Sequence, residues 1–96
     1  MNYIDQIATN IRSKLPADKV PDEHAAELFR LYALLALLKG TSVRLEDVHD
    51  AWSAWQSAIE PNHESLVPFA ELPPEVQYED QPFVDAILRV ASTMKH

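Results

Sequence analysis

The groups in this chain that could do chemistry are few, and they fall in its second half. His49 and His63 are the candidates for acid, base or ligand roles, with Trp52 and Trp55 close to the first of them and carboxylates on either side. An imidazole titrates near neutrality, and a pair of indoles offers a flat surface to a base or another ring system. Catalysis is not expected from these residues. The chain has one glycine, so it cannot form a glycine-rich phosphate loop, and it contains neither a G-x-S-x-G elbow nor an H-E-x-x-H pair. It also has no cysteine, which removes disulfides, thiolate metal sites and cysteine nucleophiles together. A zinc site from His49, His63 and an acid such as Asp80 has a spacing that is not diagnostic, so no metal and no cofactor is expected. The reading closest to packing makes His49 a half-buried residue with one nitrogen bonded to backbone. His63 then bonds locally and holds its loop against the helix before it.

Those residues need helices to position them. From Tyr3 to Leu15, Ile4, Ile7, Ala8, Ile11 and Leu15 recur at helical spacing on one face, and Pro16 closes the segment. A second helix is expected over residues 22–39, started by Pro21 and Asp22 and stopped by Lys39 and Gly40. Its run AAELFRLYALLALL has Glu23, Glu27 and Arg30 on one line, and there Leu34, Leu37 and Leu38 take over from the charges. That end is therefore enclosed on every side or covered by another chain, and these three leucines are the candidate surface for a partner or a homodimer. A third helix over 45–59 gathers Leu45, Val48, Trp52, Trp55 and Ile59 on one face. Prolines then predict an irregular segment over 60–81, and a final helix over 82–94 buries Phe83, Ile87, Val90 and Met94, with Asp80 or Gln81 as its cap. The expected fold is a single all-α domain of about four helices.

Charge narrows the partners. The net charge is −7, and no lysine or arginine lies between Arg44 and Arg89, where ten carboxylates fall. Such a surface repels phosphate backbones, so nucleic acid is not an expected partner. The apolar run is too short and too charged to span a bilayer, no membrane association is expected, and the N-terminus lacks the pattern of a secretory signal, which makes the cytoplasm the expected compartment.

Within residues 46–87 the segments EDVHDAW and NHESLVPFAELPPEVQYED resemble the ryanodine receptor repeat, or RyR domain. That family's pattern runs H-x-x-W, a spacer, H-P-x-L-x-P-Y-x-x-L, then an Asp shortly before an apolar helix. The matching residues here are His49 and Trp52, then His63, Leu66, Pro68, Phe69 and Leu72, then Asp80 before Phe83. Small uncharacterised proteins of actinobacteria and their phages are similar over the whole length. The resemblance implies a helical binding module and not an enzyme, working on a nucleotide-derived small ligand or a protein partner. The site it implies lies where His49, Trp52 and Trp55 meet His63, Pro68 and Phe69, with Arg44 or Arg30 reaching a nucleotide's charge. The competing expectation is an acidic interaction protein that binds a basic partner surface and no small molecule.

Overall fold

Each long helix starts and stops where local chemistry permits. The computed structural model describes residues 2–94, and it is all-α: α1 (Tyr3–Ser13), α2 (Ala25–Lys39), α3 (Leu45–Ile59), the single turn α4 (Pro74–Gln77) and α5 (Gln81–Ala91). Short 3-10 turns at Ala17–Lys19, Gly40–Ser42, Phe69–Glu71 and Tyr78–Asp80 complete the helical structure.

At the start of α1, the Asn2 side chain accepts the Asp5 N–H at 2.9 Å, satisfying a donor that the helix leaves free. The helix stops at Ser13, two residues before the expected end, and Leu15 packs on the core from outside it. α2 begins three residues later than expected. His24 stands in the left-handed region (φ 59°, ψ 22°), which interrupts the helical path and leaves Glu23 off the charged stripe. The Trp55 indole N–H donates to the His24 carbonyl at 2.8 Å and pins this turn. At the other end Gly40 takes φ 56° and ψ −128°, a conformation that a Cβ would obstruct.

α3 has the expected bounds. One carboxylate, Asp47, accepts the Arg44 N–H and the Lys39 ammonium, each at 2.8 Å, and so ties the end of α2 to the start of α3. The irregular segment is shorter than predicted. Helical turns start at Pro74 and lead through Asp80 into α5, so only residues 60–73 follow an irregular path, with one 3-10 turn inside it. Proline at the first helical position explains the early start, because its missing N–H has no helical partner there anyway. α5 ends at Ala91, and Met94 packs on the core from beyond it.

α2 is the central element, touching α1, α3 and α5. It supplies Leu28, Phe29, Tyr32, Ala33 and Ala36 to the interior, against Ile11 of α1, Val48 of α3 and Ile87 and Val90 of α5. Phe29 meets Tyr32 edge to face at 5.6 Å, and Tyr32 meets Phe83 at 5.7 Å. The chain itself does not enclose the leucine end of α2. Leu34 is 43% exposed and Leu38 73%, while Leu37 is half-buried.

Phe29→Ala should cost about 3–5 kcal/mol of unfolding free energy, as large-to-small changes in a sealed core do. Gly40→Ala should cost about 1–2 kcal/mol through backbone conformation alone. Urea denaturation with an unchanged m-value checks both.

Candidate functional site

α3 carries His49 and Trp52 one turn apart, on the side that faces the proline-rich segment. His49 is 3% exposed, and its Nε2 lies 2.7 Å from the Val67 carbonyl. A carbonyl can only accept, so Nε2 bears a proton and donates it to Val67. The Ser53 hydroxyl is 3.4 Å from the same nitrogen. This is not an activated nucleophile, because a nitrogen already donating to a carbonyl has no lone pair with which to take the serine proton. The Nδ1 atom of His49 has no partner among the described residues, and no fully buried side-chain nitrogen or oxygen there lacks one. Nδ1 is therefore not fully sealed, and His49 lines the cavity formed between α3 and the segment after it.

The imidazole of His49 lies 5.8 Å from the Trp52 ring at an interplanar angle of 24° and 6.2 Å from Phe69 at 56°. His63 meets Trp52 edge to face at 5.2 Å and 82°. Its Nδ1 accepts the Ser65 N–H at 3.0 Å, so the neutral ring carries its proton on Nε2. The expected local role of His63 is thus fulfilled, and its loop is drawn against α3. Gln77 secures the rest of the segment by donating from Nε2 to the carbonyls of Phe69 and Leu72, both at 3.1 Å.

Between these pieces lies a cavity of about 220 Å³. His49, Trp52, His63 and Ser65 form one side of it, and Leu72, Val76, Glu79 and Asp80 the other. Of the six residues expected to form the site, His49, Trp52 and His63 line this cavity, and Phe69 supports His49 by ring contact. Trp55 and Pro68 do not belong to it. Trp55 turns toward the start of α2, where it bonds His24 and lines a separate groove of about 580 Å³ with Glu27, Leu31 and Ile59. Three residues apart, the two indoles are offset by about 60° around the helix axis and about 4.5 Å along it, which lets them serve adjacent surfaces. Pro68 is exposed and borders a shallow groove with Asp50 and Ser57. Neither arginine expected to reach a ligand charge lies at the cavity. Arg30 pairs with Asp5 at 3.4 Å, and Arg44 with Glu46 at 2.8 Å.

Asp80 is the residue that sequence spacing undervalued. It occupies the N-cap position of α5, but its side chain makes no capping bond, and the carboxyl faces the cavity instead. Burial pushes its pKa up to about 6, the positive field of His49 opposes that rise, and Glu79 adds to it. No hydrogen bond or ion pair joins Asp80 to another side chain among the described residues. Burial, and secondarily the Asp80 charge, also raises the Tyr32 phenol well above its usual range, so Tyr32 stays neutral. The sequence marked Asp80 as a possible cap of the last helix, as the acid of an undiagnostic zinc spacing and as the Asp before the apolar helix in the family pattern, and none of these placed it at a cavity.

Among the described residues no three histidine, aspartate or glutamate side chains converge closely enough to hold a metal ion. No described helix is long and apolar enough to cross a membrane. The family described as Domain of unknown function (DUF7701) matches residues 2–92, and the chain belongs to it. No curated protein and no solved structure matches the chain.

A carboxyl with a folded pKa above its unfolded value binds more protons when folded, so it stabilises the fold as pH falls from about 6 toward 4 and opposes it at neutral pH. Asp80→Asn should therefore raise stability at pH 7 by about 1–2 kcal/mol, with allowance for solvent screening at a partly exposed group. It should also flatten the rise in stability that the native chain shows between pH 6 and pH 4. Thermal unfolding at stepped pH measures both effects.

Proposed function

We propose that this member of the DUF7701 family is a non-enzymatic binding module of the RyR-like type, whose recognising element is the cavity between α3 and the segment running into α5. One observation carries the reading: both halves of the H-x-x-W and H-x-x-L-x-P pattern contribute an imidazole to the walls of a single void, with Trp52 between them. At about 220 Å³ the void is smaller than the ~300 Å³ at which drug-sized pockets begin, so it admits one ring system or a head group and not a whole nucleotide. Of a nucleotide-derived ligand, the base would enter and the phosphate would stay outside. The commitment of His49 Nε2 to a carbonyl supports binding over catalysis.

A second reading, an acidic interaction protein that takes a basic partner surface, draws on the ten carboxylates between Arg44 and Arg89. Such a partner would be captured at low salt and released at high salt, because exposed charge pairs are screened over a few ångströms of electrolyte, whereas a ring in the cavity would stay. Self-association through Leu34 and Leu38, with Leu37 beside them, is compatible with either reading.

A thermal-shift and NMR screen of nucleobases, nucleosides and nucleotides tests the proposal. A ligand present at ~100 times its Kd stabilises the fold by about 2.7 kcal/mol, and it should perturb the Trp52 indole signal while leaving that of Trp55 in place. No shift at millimolar ligand would return His49, Trp52 and His63 to packing roles. Sedimentation velocity over a wide concentration range decides self-association: Leu38→Glu should abolish any dimer, and a monomer at every concentration of the native chain removes that idea.

A further inference from the structure

We infer that the cavity takes a small organic cation carrying at least two N–H donors, an ammonium, amidinium or guanidinium head group held between Asp80 and the free nitrogen of His49. This rests on the reading of the cavity as a ligand pocket and specifies the chemistry of its ligand.

The hydrogen-bonding capacity of the walls is lopsided. His49 spends its only N–H on Val67, so its uncharged ring offers the cavity a lone pair on Nδ1. Asp80 adds two carboxylate oxygens without a partner among the described residues, and Glu79 adds another carboxylate at the rim. Against these acceptors the lining sets fewer donors, the Nε2–H of His63, whose Nδ1 is engaged by Ser65, the indole N–H of Trp52 and the Ser65 hydroxyl, and none of them carries a charge to offset the two carboxylates. A ligand that satisfies such walls must bring donors, and at least two of them to reach His49 and Asp80 together.

Charge points the same way. Among the described residues no lysine or arginine lines the cavity, and the two that might have served, Arg30 and Arg44, are paired elsewhere. With neutral imidazoles the lining carries the two negative charges of Glu79 and Asp80, so an anionic group would enter without a counter-charge, whereas a cation would supply one. The indole of Trp52 on the opposite wall adds a π system that attracts cations within ~6 Å. The cation would also relieve an existing cost, since the Asp80 carboxylate is held partly buried with no bonded partner among the described residues.

Titration of the full chain by ¹H–¹⁵N NMR at pH 7.5 with benzamidine and with methylguanidine tests this, benzamide serving as the uncharged isostere and inorganic phosphate as the anion. Both cations should move the Trp52 indole and the amides of Ser65 and Asp80 and leave the Trp55 indole unmoved. Benzamide should bind at least tenfold more weakly than benzamidine. Asp80→Asn should weaken benzamidine at least tenfold while the spectrum stays folded. Lowering the pH through 6 should weaken it as well. Asp80 then gains a proton, and the groups facing it from the other elements can only add positive charge (His49 on α3 and His63 on the loop), stay neutral (Tyr32 on α2) or lose negative charge (Glu79). Equal binding of benzamide and benzamidine, or a stronger response to phosphate, would overturn the inference and leave the pocket in place. A neutral ring from the nucleobase screen that binds where both cations fail would do the same. Silence from cations and neutral rings alike would overturn both the inference and the pocket.

Discussion

The hydrogen bond from His49 Nε2 to the Val67 carbonyl holds the proline-rich segment against the helical core. Four prolines between residues 60 and 75 remove backbone donors, so that stretch closes on itself through isolated turns and one short 3-10 helix. Side chains supply the rest: His49 takes Val67, His63 takes the Ser65 N–H, and Gln77 spans two carbonyls. The net worth of one such bond is only about 1 kcal/mol, but breaking the His49 bond would leave a buried imidazole unsatisfied at about 1–3 kcal/mol. The same bond sets the tautomer of His49, and with it which nitrogen the cavity sees.

This arrangement depends on α2, which contributes the floor that α1, α3 and α5 share. Tyr32 and Phe83 pack ring to ring in that floor, and the charge of Asp80 is felt at Tyr32. The fold therefore brings a carboxyl close to its aromatic core and leaves it without a bonded partner among the described residues. That carboxyl costs stability at neutral pH, where it is charged and partly buried.

Charge is partitioned along the chain and in space. The described ion pairs, Arg30 with Asp5, Lys39 with Asp47 and Arg44 with Glu46, use cations from the first half. Exposed pairs of this kind contribute about 0–1 kcal/mol each. Their larger effect is to keep the basic side chains occupied away from the second half, so its carboxylates face solvent, or the cavity, without compensation.

Much of the fold can be read from local chemistry. The apolar spacing in α1, α2, α3 and α5, the single glycine after Lys39 and the run of prolines after Ile59 are each visible within a few residues, because helix initiation, termination and one-sided burial are short-range effects. Of the boundaries that moved, one did so for a non-local reason and another for a local one. α2 starts late because Trp55, 31 residues away, holds His24 in a left-handed turn, and the last helical run starts early because Pro74 opens it. The same division applies to the site. Residue types and order singled out His49, Trp52 and His63, but spacing could not tell that Trp55 meets the start of α2 and not the cavity, that Arg30 and Arg44 find partners elsewhere, or that Asp80 faces a void and caps nothing. Periodicity along a chain records which face of a helix is apolar, whereas the neighbour that face meets, and the space left between them, depend on how separate helices pack.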